Sequence, residues 1–306
     1  MIKTENLTKQ FDQYTAVDRL TLTIEEGEVF GFLGPNGAGK TTTVRMLTSL
    51  IAPTAGQATV FGFEVGKDDQ QIRRNVGLLT ETPGMYDRLS AHKNLTIYAK
   101  LYEVQDVAGQ VEKYLRMLGL WDRRNDPAGT FSKGMKQKLA IARALLHEPK
   151  VLFLDEPTAG LDPEASKLVR EFIQDVKAEG RTIFLTTHNL DEADRLCDRV
   201  AVFKRQLRVV DSTSGLRDQL YGRQVVFHLA DAAQPYLPIL QTLSYIQKVD
   251  AVDNKLIVAL EDPEAHNPKI IRMLVEANVR IQFVGELRHT LEDIYLQLVQ
   301  DEGGQA

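Results

Sequence analysis

One stretch constrains this chain more than any other: Gly34-Pro35-Asn36-Gly37-Ala38-Gly39-Lys40-Thr41. Before it, Val29-Phe30-Gly31-Phe32-Leu33 reads as a short apolar strand. After it, Thr43, Val44, Met46, Leu47 and Leu50 follow a helical spacing. A strand that runs through a glycine-rich loop straight into a helix is the context of a phosphate-binding loop in an α/β sheet. Glycines let backbone N–H groups turn inward and approach phosphate oxygens. The new helix adds unpaired N–H groups and a dipole that favours an anion. Lys40 supplies a point charge for the β- and γ-phosphates, and the Thr41 hydroxyl suits Mg²⁺. The expected ligands are a nucleoside triphosphate and Mg²⁺, with Thr42 counted among the phosphate-binding residues beside Gly34 to Thr41.

A second constellation lies downstream. Val151-Leu152-Phe153-Leu154 is an apolar run between Pro149 and Pro157, and it reads as a buried strand of a parallel sheet. Asp155 and Glu156 close it, at the edge where open α/β sheets bind ligands. Asp155 is placed to hold Mg²⁺ and Glu156 to orient or deprotonate the attacking water. The plain alternative is two solvated loop carboxylates, and the phosphate loop on the same chain argues against it. Asp162 and Pro163 suit the N-cap and first position of a helix that buries Leu168, Val169, Phe172, Ile173 and Val176. The next strand, Thr182-Ile183-Phe184-Leu185-Thr186-Thr187, ends in His188, which is expected at the γ-phosphate.

These residues resemble the ATP-binding subunit of an ABC transporter, over about residues 1 to 212. Gly34 to Thr41 is similar to its Walker A loop, and Leu152 to Glu156 to Walker B with the adjacent glutamate. Ser132-Lys133-Gly134-Met135-Lys136-Gln137 resembles the family signature, Ala159-Gly160-Leu161-Asp162 the D-loop, and His188 the switch histidine. The resemblance implies an α/β P-loop ATPase of ABC type, with a mixed-sheet core, a β-rich subdomain and a helical insert over about residues 84–146. It implies ATP hydrolysis coupled to transport, with Lys40, Glu156 and His188 in the chemistry. It implies a head-to-tail dimer in which Ser132 and Gly134 of one subunit cap ATP held by the other. The implied partners are a multi-span membrane permease subunit and a second ATP-binding subunit, an identical copy, on the cytoplasmic face of the cell membrane. Ser132 also reads locally as the N-cap of a helix over 133–146.

Two departures from the family pattern matter. The signature runs Phe131-Ser132-Lys133-Gly134-Met135 where Leu-Ser-Gly-Gly-Gln is usual. Glu81 stands where a Gln usually helps to bind Mg²⁺ and links the site to the permease, so the expected metal set is Thr41, Glu81 and Asp155. Both departures look like a subgroup that exports drugs, ions, lipids or polysaccharides. Phe11 stands where the family stacks an aromatic on adenine, with Tyr14 as a nearby rival and a core position as the alternative.

Composition narrows the classes. The net charge of −5 makes no electrostatic case for nucleic acid. The single Cys197 excludes an intrachain disulfide framework and fits a reducing cytosol. No apolar run approaches the roughly 18–20 residues that span a bilayer, so a pore would belong to another polypeptide. Only one phosphate loop and one signature occur, so a sandwich needs two chains. A soluble ABC-type ATPase acting on ribosomes or DNA is the rival reading, and a P-loop kinase ranks lower.

Val107, Val111, Leu115 and Leu118 mark an amphipathic stripe in the insert. The resemblance makes Tyr86, Leu89 and Tyr98 candidates for docking the permease, with packing inside the helical layer as the alternative. Ser212-Thr213-Ser214-Gly215 reads as a linker between an ATP-binding domain (1–212) and an accessory α+β domain (216–306). The order β-α-β-β-α-β there suggests a ferredoxin-like fold followed by a final helix, with Asp253-Asn254 as a tight turn.

Overall fold

The computed structural model describes residues 1–80, 82, 84–287 and 289–300, the last three in backbone only. The chain divides into two compact units, Met1–Asp211 and Ser212–Ala306.

The first unit begins with β1 (Ile2–Phe11), β2 (Tyr14–Ile24), β3 (Val29–Leu33), α1 (Lys40–Leu47), β4 (Ala55–Val60) and β5 (Phe63–Glu64). It continues through α2 (Asp69–Asn75), β6 (Val76–Leu79), α3 (Ala91–Leu101), α4 (Val107–Met117) and α5 (Lys133–Leu145). It closes with β7 (Val151–Asp155), α6 (Pro163–Ala178), β8 (Thr182–Thr187), α7 (Leu190–Leu196), β9 (Arg199–Lys204) and β10 (Gln206–Asp211). A four-stranded antiparallel sheet has the order β2-β1-β4-β5, and a six-stranded sheet the order β10-β9-β3-β8-β7-β6. The larger sheet is parallel except for β10 at its edge.

Central strands of a parallel sheet are covered on both faces, so they carry unbroken apolar runs. Every residue of β3, β7 and β8 is buried. On one face, Phe30, Phe32, Phe153, Phe184 and Phe203 pack with the antiparallel sheet and α1, and Phe32 and Phe203 lie 4.6 Å apart between ring centroids. On the other face α3, α4, α5 and α6 bury Leu95, Val111, Leu115, Leu139, Ile141, Phe172 and Ile173. In the stripe of α4, Val111 and Leu115 are buried while Val107 and Leu118 pack at its margin. Asp162 caps α6 by accepting from the Ala165 N–H at 2.8 Å, with Pro163 in the first turn. Leu168 departs from expectation: it lies 38 % exposed at the edge of the apolar face, while Ala165 is buried there.

Tyr86 and Leu89 precede α3 and Tyr98 stands on it. Tyr86 is exposed, Leu89 and Tyr98 are half-buried, and the two tyrosine rings stack with centroids 6.3 Å apart.

The second unit opens differently from the expected linker. Ser212 caps a helix, α8 (Thr213–Tyr221), accepting from the Gly215 N–H at 3.0 Å. Then come β11 (Arg223–Leu229), a short α9 (Leu237–Gln241), β12 (Ile246–Val252), β13 (Lys255–Leu260), α10 (Pro263–Glu276), β14 (Ile281–Glu286) and α11 (Leu291–Gln300). Pro235 and Pro238 fall in a 3₁₀ turn and in the first turn of this short helix before β12. The sheet order is β12-β13-β11-β14, antiparallel throughout. Val225, Phe227, Leu229, Leu256, Val258, Ile270 and Leu274 form its core.

Candidate functional site

The strand order places the C-terminal ends of β3, β8 and β7 side by side. Leu33 pairs with Thr187, and Asp155 with Thr186. Each strand then delivers its own side chains to one edge of the sheet.

From β3 the chain enters the glycine-rich loop. Glycine is required at two positions by close approach. A Cβ on Gly34 would meet the Phe203 carbonyl oxygen at 2.2 Å, and one on Gly39 the Ala16 carbonyl oxygen at 2.2 Å. Gly39 also takes φ 107°, left-handed backbone that a side chain resists. Arg205 N–H donates to the Ala38 carbonyl at 2.9 Å, and the Tyr14 hydroxyl to the Gly37 carbonyl at 3.2 Å. A cavity of about 360 Å³ is lined by Tyr14, Ala16, Pro35, Asn36, Gly37, Ala38, Gly39, Lys40, Thr41, Thr42 and Glu156. Lys40 folds back over the loop, its Nζ 2.7 Å from the Gly34 carbonyl and 3.3 Å from the Pro35 carbonyl.

From β7 come Asp155 and Glu156. Asp155 is buried and accepts from Thr186 Oγ1 at 2.5 Å. Glu156 takes a left-handed φ of 51°, a strained conformation for a long side chain. Its N–H is held by the Thr186 carbonyl at 3.0 Å and by Thr186 Oγ1 at 3.2 Å. This turn aims the carboxylate across the edge. Glu156 Oε1 lies 3.2 Å from Lys40 Nζ, and Oε2 lies 2.8 Å from His188 Nδ1 at the end of β8. Lys40, Glu156 and His188 thus come from three strand-to-helix junctions and form one contiguous polar chain.

Thr41 lines a second cavity, of about 300 Å³, together with Asp155, Thr80, Thr82 and Arg45. A hydroxyl and a buried carboxylate facing one space are hard oxygen donors, and they fit a cation that takes its remaining ligands from phosphate and water. Glu81, expected in this set, lies outside the described residues.

Ser132 caps α5 by accepting from the Met135 N–H at 3.2 Å, and it is exposed. Neither Ser132 nor Gly134 lines the phosphate-loop cavity of its own chain. A Cβ on Gly134 would sit 2.9 Å from that of Ala165, so glycine lets α5 approach α6. The unusual Lys133 reaches over Gly160, where a Cβ would lie 2.2 Å from its Nζ. Of the two aromatic candidates, Tyr14 lines the cavity, with the Arg205 guanidinium 5.0 Å from its ring. Phe11 does not line it; it is 47 % exposed, with Lys9 Nζ over its ring.

Thr186, the link between Asp155 and Glu156, was not singled out from sequence, because it reads as one more β-branched strand residue. Gln137, which closes the signature, and Thr158 have partners remote in sequence that no local pattern encodes: Gln137 Nε2 donates to the Pro157 carbonyl at 2.7 Å, and Thr158 Oγ1 to Glu192 at 2.7 Å.

A family model described as "ABC transporter" matches residues 17–159. The chain is 34 % identical over 300 residues to an uncharacterized ABC transporter ATP-binding protein of Bacillus subtilis, covering 97 % of this chain and 95 % of that one. It is 35 % identical over 300 residues to the bacitracin transport ATP-binding protein BcrA of Bacillus licheniformis, covering 98 % and 97 %. It is 40 % identical over 228 residues to a fluoroquinolones export ATP-binding protein of Mycobacterium tuberculosis, covering 74 % and 75 %. Among solved structures, an ATP-binding subunit of an ABC transporter aligns with TM-score 0.67 at 30 % identity, over 72 % of this chain and 94 % of that one. The dimeric structure of a bacterial ABC transporter cassette aligns with TM-score 0.64 at 25 % identity, over 69 % and 98 %. With the phosphate loop and the paired carboxylates on one sheet edge, the chain belongs to the ABC transporter family, as an ATP-binding and ATP-hydrolysing protein.

Proposed function

We propose that this protein is the energy-coupling subunit of an exporter. It binds ATP with Mg²⁺, pairs head to tail with a second copy, and drives a multi-span permease from the cytoplasmic face of the membrane. The observation that carries the reading is the meeting of Lys40, Glu156 and His188 at the phosphate loop. The exporter assignment is supported by relatives named for bacitracin transport and fluoroquinolones export.

The chemistry follows from these contacts. Lys40 is paired with Glu156 here, so an entering phosphate exchanges the carboxylate for its own oxygens. Glu156 then keeps its contact with His188 and faces the water in line with the γ-phosphate, as a base or orienting group. His188 holds that carboxylate in place and is exposed enough, at 57 %, to reach the phosphate. Thr41 and Asp155 would hold Mg²⁺, which supplies charge neutralisation at the phosphates when bound. Ser132, on the exposed end of α5, caps a partner's ATP through its hydroxyl, the Gly134 N–H and the helix N-terminus. The strand order of the second unit supports a ferredoxin-like accessory domain.

The test is purification of the tagged chain from membranes in mild detergent, with its companions identified by mass and its ATPase measured. A stoichiometric multi-span protein and Mg²⁺-dependent ATP hydrolysis are expected. Co-purification with ribosomes or DNA instead would move the function to a soluble ABC-type ATPase.

A further inference from the structure

Glu192 is a carboxylate, 3 % exposed, that takes no part in the chemistry above. It stands on the first turn of α7, whose cap Asn189 follows His188 directly and accepts from the Glu192 N–H at 3.1 Å. Its Oε2 accepts the 2.7 Å hydrogen bond from Thr158 Oγ1, and Arg170 Nη1 lies 4.0 Å from Oε1. Burial pushes its carboxyl above the ordinary range. A buried carboxylate with so few partners is unfavourable, and an apolar side chain would fill the place more stably.

Thr158 belongs to the turn that leaves Glu156: the Ala159 N–H donates to the Glu156 carbonyl at 3.1 Å. The same turn is gripped from the other side by Gln137 of α5, through the Pro157 carbonyl. Two side-chain hydrogen bonds therefore hold Pro157-Thr158 between the helix that begins beside Ser132 and the helix that begins beyond His188.

We infer that Glu192 is a positioning residue: through Thr158 it fixes the backbone leaving Glu156 against the helix leaving His188, and so sets the Glu156–His188 contact. The inference rests on the catalytic reading of that pair. Glu156 is held in left-handed backbone between the Thr186 contacts to its N–H and the turn that follows it. Loosening that turn displaces the carboxylate while leaving the phosphate loop intact, so turnover suffers and ATP binding does not.

The experiment measures steady-state ATP hydrolysis, nucleotide affinity and thermal unfolding for the full chain and for Thr158→Val, Thr158→Ser, Glu192→Gln and Glu156→Gln. Thr158→Val keeps the shape and removes the donor. It is expected to lower kcat about tenfold at unchanged ATP affinity, with Tm lowered by only about 2–4 °C, so that the protein stays folded under assay conditions. Thr158→Ser restores the donor and should recover most of kcat, and Glu192→Gln, which keeps an acceptor, should fall between the two. Combining Thr158→Val with Glu192→Gln should be no slower than Thr158→Val alone. A wild-type kcat in Thr158→Val, no rescue by Ser, or a loss confined to ATP affinity overturns the inference. Near-normal turnover in Glu156→Gln removes the catalytic reading and the inference with it; a slow Glu156→Gln beside a normal Thr158→Val overturns the inference alone.

Discussion

Lys40 Nζ and Glu156 Oε1 stand 3.2 Å apart in an ion pair whose side chains are only 6 % and 11 % exposed. Under the proposed function, the lysine that binds phosphate is held by the carboxylate that activates water, and each must release the other before it acts.

Glu156→Gln follows from that competition. It removes the proposed base and the rival for Lys40 in one change. ATP binding should be at least as tight as in the wild type, while turnover falls by about 10²–10⁴-fold. Equilibrium nucleotide binding and phosphate release measure the two halves separately. Weaker ATP binding in this variant would contradict the exchange.

Lys40→Ala leaves Glu156 without its cation in a nearly closed place. Truncating one partner of such a pair costs about 2–5 kcal/mol in binding or stability. ATP affinity is expected to drop by more than about tenfold, with hydrolysis lost at ordinary nucleotide concentrations. A titration that shows unchanged affinity would place the phosphates away from this side chain.

Thr186→Val tests the bond between the strand ends. Valine matches the shape of threonine but leaves Asp155 and the Glu156 N–H without the hydroxyl. Unfolding stability should fall by about 1–2 kcal/mol. The Mg²⁺ concentration needed for half-maximal hydrolysis should rise, because Asp155 loses the contact that orients it. An unchanged Mg²⁺ dependence would show that the Thr186 contact does not orient Asp155 toward the metal.

His147 sets a pH dependence of stability. Burial pushes its imidazole below the ordinary 6.5. It stacks on Tyr102 with centroids 3.9 Å apart, and its Nε2–H donates to the Val76 carbonyl at 3.0 Å. A group whose folded value is depressed adds stability that is complete above the unfolded value, here 6.5, and that is lost as pH falls through the folded value. His147→Gln should therefore flatten the acid side of the stability curve and lower its neutral plateau. Urea midpoints at neutral and mildly acidic pH give both readings.

The parts legible in the sequence are those carried by short-range chemistry. The phosphate loop, the run Val151–Asp155 and the cap at Asp162 state their conformations in consecutive residues. The turn expected at Asp253-Asn254 joins β12 to β13, with Asp253 at φ 53°. The misses have physical reasons. Ser212-Thr213-Ser214-Gly215 has the composition of a linker, and only Leu216 of the helix it opens is buried, so the apolar stripe is faint. Leu168 shares the helical spacing of its neighbours but lies just past the edge of their face. Thr186 meets Asp155 through the register of β7 on β8, which no local pattern encodes. Choosing between Phe11 and Tyr14 requires knowing where the β1–β2 hairpin points, which is a matter of packing.

The walls of the phosphate loop come from opposite ends of the first unit. Tyr14 and Ala16 press on it from one side, and Phe203 and Arg205 from the other. During synthesis Lys40 leaves the ribosome long before Phe203, so for most of that interval the loop lacks half of its enclosure. Local helices gain their contacts early, whereas this pocket waits for a pairing between distant strands. The complete enclosure of the loop therefore exists only when β9 is paired beside β3.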